Sequence, residues 1–90
     1  MKPYTKKEAI DILVWFQNEF VTTRDAKKRS YQLWALKEMI TDICDSGLDP
    51  MDSMLKTRDR FLNAACINSG GKYMFAVAAD ICDSAIDLFT

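Results

Sequence analysis

The sequence predicts an all-α domain, a compact four-helix bundle with antiparallel up-down topology. Three observations predict it. Apolar residues recur at helical spacing in four separate stretches. Cap and stop signals separate those stretches by only a few residues. Gly and Pro together number five, too few for a turn-rich β sandwich. Short connections between amphipathic helices then favour antiparallel neighbours.

Thr5 and Glu8 have the spacing of a capping box, and Tyr4 can staple onto Ala9, so the first helix runs from Thr5 to about Val21. Its apolar face is Ala9, Ile12, Leu13, Phe16 and Phe20. Thr22 and Thr23 interrupt the pattern. The second helix begins near Arg24 or Asp25 and ends at Gly47, a residue suited to closing a helix. Its stripe is Leu33, Leu36, Ile40, Ile43 and Cys44, with Met39 at the margin.

Asp49 followed by Pro50 is an N-cap with proline at the first helical position. The third helix starts there, presents Met51, Met54, Leu55, Phe61, Leu62, Ala65 and Cys66, and stops at Asn68-Ser69-Gly70-Gly71. The fourth fills Lys72 to Phe89 and is apolar over about half its circumference. A helix that broad is either central in the bundle or serves a subunit interface. The expected core is Ile12, Leu13, Phe16, Phe20, Leu36, Ile40, Ile43, Leu55, Leu62, Val77, Ile81 and Leu88.

Ninety residues make one domain spanning residues 1–90 with one modest core. The hydrophobic fraction of 49 % fills that core, and 28 % charged residues keep the surface wetted. Lys2, Lys6 and Lys7 are followed by Glu8 and Asp11, which interrupts any signal-peptide apolar region. No apolar run reaches the roughly 20 residues that span a bilayer, so no membrane association is expected. Cys44, Cys66 and Cys82 are odd in number and widely spaced, which points to reduced thiols in a cytoplasm.

Charge is unevenly spread. Residues 1–41 carry eight basic and five acidic side chains, whereas residues 42–90 carry four basic and eight acidic ones. A general nucleic-acid binder needs a larger basic excess, so nucleic acid is not the expected partner. The cluster Arg24-Asp25-Ala26-Lys27-Lys28-Arg29, with Tyr31 and Trp34 within two turns, is the one segment that would suit phosphates. As the first turns of a surface helix it is also ordinary.

The informative residues break the amphipathic pattern. Trp15 falls opposite the first helix's apolar stripe, among Glu8, Asp11, Asn18 and Glu19. Trp34 and Tyr31 fall with Lys27, Glu38, Thr41 and Asp42. Aromatic rings on polar faces are typical anchors of protein interfaces, or they mark a second contact inside the monomer. Arg58 is the reverse case, a cation inside the third helix's apolar stripe. It either snorkels to a structural ion pair or serves as a recognition arginine in a groove between helices.

An octapeptide recurs. Residues 42–49 and 80–87 are identical at six of eight positions, an offset of 38 that gives only two units. Duplication of a helical hairpin and chance both account for it. Its second copy places Asp80, Asp83 and Asp87 outward, as a solvated acidic face or a docking stripe for a basic partner. No metal site is expected, because the chain has no His and no close Cys pair. Catalysis is not expected either, since general-base and phosphate-loop motifs are missing from the sequence, and no cofactor is implied.

The stretch Tyr73-Met74-Phe75-Ala76-Val77-Ala78-Ala79-Asp80-Ile81-Cys82-Asp83-Ser84-Ala85-Ile86-Asp87-Leu88-Phe89 is similar to the ends of short uncharacterised helical proteins of Firmicutes and of their phages and mobile elements. That resemblance covers about a fifth of the chain and transfers no functional residue. It implies a setting in which small proteins often inhibit or regulate larger host proteins. The expected function is therefore a small non-catalytic protein-interaction module, with self-association as a homodimer in view. An inhibitor of a host defence or nucleic-acid enzyme is one alternative, and a nucleic-acid-binding regulator another. The candidate partner-binding residues are Trp15, Tyr31, Trp34, Arg58, Asp80, Asp83 and Asp87.

Overall fold

A computed structural model of the protein describes residues 4–90, so Lys2, weighed above against a leader sequence, lies outside the described residues. Four helices account for most of them: α1 (Lys6–Phe20), α2 (Ala26–Asp45), α3 (Pro50–Ile67) and α4 (Lys72–Asp87). The caps explain where three of them begin. Thr5 Oγ1 accepts the Glu8 N–H at 3.1 Å while the Glu8 carboxylate accepts the Thr5 N–H at 3.0 Å, the reciprocal pair of a capping box. Asp25 accepts the Lys28 N–H and Asp49 accepts the Met51 N–H, each at 3.0 Å, and Pro50 occupies the first turn of α3. α4 starts after Gly71 with no side-chain cap.

Two ends differ from the sequence expectation. α2 stops at Asp45 because Ser46 turns to an extended conformation, and Gly47 follows without a positive φ. The glycine therefore supplies no left-handed cap. α4 ends at Asp87, leaving Leu88 and Phe89 in a final turn.

Ring and polar contacts fix the directions. Lys6 Nζ donates to the Ser46 carbonyl at 3.1 Å, which sets the start of α1 beside the end of α2. Trp34 meets Phe61, and Phe61 meets Phe75, so α3 runs antiparallel to both α2 and α4. Tyr31 against Tyr73 and Trp34 against Phe75 make α2 and α4 parallel neighbours. The result is an up-down four-helix bundle in which α4 packs on both α3 and α2, and α1 packs chiefly on α2. α4's wide apolar surface is used inside the monomer: Val77, Ala78, Ala79, Ile81, Cys82, Ala85 and Ile86 are all buried.

The core holds Leu13, Phe16, Leu36, Ile43, Val77 and Ile81 as expected, with Met39, Met54 and Phe61 buried beside them. Ile12, Ile40 and Leu55 are partly buried against it. Three expected core residues lie at the surface instead: Phe20 is 54 % exposed, Leu62 46 % and Leu88 39 %. Phe20 is the last residue of α1, overhangs the core and stacks on Phe16 at 5.2 Å. Leu62 opens into a groove beside α4. Leu88 follows the end of α4, and the next residue, Phe89, turns inward to meet the Tyr4 ring edge-on at 5.0 Å. Tyr4 thus reaches across to the chain's end, in addition to its expected place over α1.

Candidate functional site

α3 and α4 pack closely enough to exclude water at Phe61 and Ala78 but diverge on their outer side. The small residues Ala65, Ala76 and Ala79 leave a groove there of about 900 Å³. Its apolar floor is completed by Leu62 and Cys66, and Arg58, Asp80 and Asp83 stand along it. Arg58 occupies the apolar phase of α3, and its aliphatic stem covers core surface while the head reaches out. The guanidinium Nη1 donates to Asp83 Oδ1 at 3.1 Å, and Nε and Nη2 donate to Asp59 Oδ1 at 3.2 and 3.0 Å. Those hydrogen bonds, to Asp59 first and then Asp83, raise the arginine's pKa above its ordinary value. Asp80 lines the same groove, exposed, with no ion pair among the described residues.

The seven sequence-predicted residues do not converge on one site. Arg58, Asp80 and Asp83 share the groove, whereas Asp87 lies one turn beyond it, exposed. Trp15 is 51 % exposed on α1, its ring edge-on to Phe20 at 5.6 Å. Tyr31 is half-buried with its ring 6.0 Å from Tyr73. Trp34 departs from the solvent-facing placement that the period gave it. Its ring packs 5.1 Å from Phe61 and 6.2 Å from Phe75, because α3 and α4 approach α2 on the side away from α1.

A second polar cluster went unnoticed in the sequence. Thr57 Oγ1 donates to Asp42 Oδ2 at 2.7 Å and lies 3.0 Å from the Ser53 carbonyl, while Arg60 Nη2 reaches Asp42 at 3.5 Å. Ser53 and Thr57 are both buried, one turn apart on α3. The readable signal was two hydroxyls at a four-residue spacing within an apolar helix face. They line a second groove of about 790 Å³ between α2 and α3.

The octapeptide copies are not structurally equivalent. Residues 80–87 are helical throughout, whereas residues 42–49 leave the helix at Ser46. Cys82 is fully buried and its counterpart Cys44 is exposed. Burial pushes the Cys82 thiol up to about 12, against the smaller opposing pull of Arg60 and Arg58. It stays neutral at physiological pH and is a packing group rather than a nucleophile. Among the described residues no three His, Cys, Asp or Glu side chains come together as a metal site, and no helix is long and apolar enough to cross a membrane.

Compared with known proteins, the chain matches no family model, no curated protein and no solved structure.

Proposed function

We propose that this protein is a small, non-catalytic interaction module whose α3–α4 groove docks a segment of a protein partner. The observation that carries the reading is the groove itself. An apolar floor of Leu62, Ala65, Ala76 and Ala79 adjoins the Arg58–Asp83 pair and the unpaired Asp80. Apolar recesses with a few convergent polar groups are the usual form of a binding site. Asp80 suits a cation on the incoming segment, and the floor suits apolar side chains spaced along one helix face.

Comparative affinity capture tests this. The tagged protein is set against Ala76→Arg and Asp80→Lys, both exposed positions in the groove, and against Lys37→Ala on the outer face of α2. The groove variants are expected to lose a partner that the Lys37 control retains. Identical captured sets from all four proteins would sink the reading.

A further inference from the structure

The charges of α2 and α4 run against their own helix dipoles. α2 begins with Lys27, Lys28 and Arg29 and ends with Asp42 and Asp45; α4 begins with Lys72 and ends with Asp83 and Asp87. Neither helix has an acidic residue in its first turn or a basic one in its last. Cations at a positive helix terminus and anions at a negative one are destabilising. Because the two helices are parallel neighbours, these placements add up across the molecule. Arg24, Lys27, Lys28 and Lys72 gather at one end of the bundle, and Asp45, Asp49, Asp52 and Asp87 at the other. Helix stability gives no reason for most of this pattern, whereas attraction of an oppositely charged surface does.

Each end carries a further unpartnered feature. At the basic end the Trp15 and Phe20 rings touch each other and remain half-exposed. At the acidic end the α2–α3 groove is lined by Asp42, Asp45, Leu48 and Ser53. The Ser53 hydroxyl is buried there and has no hydrogen-bond partner. A buried hydroxyl without a partner is uncommon and marks a place where an incoming polar group would be accepted.

We propose that copies of this chain associate head to tail. The basic end of one molecule, with Arg24 and Lys27 beside Phe20 and Trp15, seats on the acidic α2–α3 groove of the next. The occupant is a second copy because one surface of the chain supplies the cations and apolar rings that the opposite surface lacks. The contact joins two different patches, so it extends with concentration instead of closing as a two-fold dimer. It is separate from the α3–α4 groove, and either proposal can fail without the other.

Sedimentation equilibrium on the whole chain tests it. In about 20 mM salt, where screening reaches over some 20 Å, the mean mass is expected to rise with concentration past twice the monomer. In about 0.5 M salt it is expected to return to the 10.3 kDa monomer. Arg24→Glu/Lys27→Glu and Asp45→Lys should each be monomeric alone. Both variants replace charges that oppose the α2 dipole, so their melting temperatures should not fall, and loss of association cannot be put down to unfolding. Mixed together they should associate, since each retains the end the other has lost. A wild-type chain that stays monomeric at low salt overturns the proposal. So does a mass that levels off at the dimer, or a mixture in which the two variants ignore each other.

Discussion

The Cys82 thiol is neutral because α2, α3 and α4 close around it, and that has a measurable consequence. An unfolded thiol ionises near its ordinary 9.0, whereas the folded one does so at about 12. Below pH 9 both states hold the proton and stability is unaffected. Between about 9 and 12 the unfolded chain alone gives it up, so stability should fall as pH rises through that window. Urea midpoints should show this decline in the parent and a shallower one in Cys82→Ala. At pH 8 a disulfide reagent should modify Cys44 and Cys66 quickly, with Cys82 reacting only on unfolding. The two tryptophans divide in the same way. Trp34→Ala removes a ring packed on Phe61 and Phe75 and should cost roughly 3 kcal/mol, against less than about 1 kcal/mol for the half-exposed Trp15→Ala. Equal urea midpoints for the two variants would contradict this placement. Helical phase made Trp15's exposure legible. It failed for Trp34 because phase locates the centre of an apolar stripe, not how many neighbours the helix has. Arg58 was legible as an anomaly, but its partner Asp83, 25 residues away, was not.

Individual helices were the most legible level, since caps act through neighbours three residues apart. The Thr5–Glu8 box, the Asp25 cap and Asp49-Pro50 all stand where the sequence placed them. The repeated octapeptide shows what such local signals cannot carry. Its copies begin alike and diverge at the fifth residue, because Pro50 disfavours helical backbone at Asp49 and offers no N–H to continue α2. Ala85, followed by no proline, stays in α4. Gly47 at the matching place has no positive φ, and a Cβ added there would meet nothing within 4 Å. Gly47→Ala should therefore stabilise the protein by about 0.4–1 kcal/mol, chiefly by restricting the unfolded chain. Gly71 is the contrast, because a Cβ there would lie 3.1 Å from the Phe75 ring. A lower urea midpoint for Gly47→Ala would show that the loop needs the glycine after all. Charge belongs to this level too. Each cation at the start of α2 or α4 and each carboxylate at their ends costs roughly 0.3–1 kcal/mol, visible in sequence only as an imbalance between halves.

Assembly of the four helices was the least legible level, because an apolar stripe says that a face is covered without saying by what. The breadth of α4's stripe did point to its central place. The peripheral place of α1 had no such signal, since its stripe of Ala9, Leu13 and Phe16 is as regular as any other. In the structure α2, α3 and α4 enclose Met54, Phe61 and Cys82, while α1 lies mainly on α2 and is held further by Tyr4 against Phe89 and by Lys6 on the Ser46 carbonyl. Lys6 is exposed, and exposed hydrogen bonds add little. A segment joined chiefly through one neighbour opens at lower free energy than the elements that surround a common core. Native-state hydrogen exchange should accordingly find α1 amides opening below the free energy of global unfolding, and those of α4 opening only with it. Leu13→Ala should widen the gap, lowering protection along α1 with a smaller effect at Val77 to Ile81. Equal protection of α1 and α4 in the parent, falling together in the variant, would mean that the bundle opens as one unit and that α1 is as integral to the core as α4.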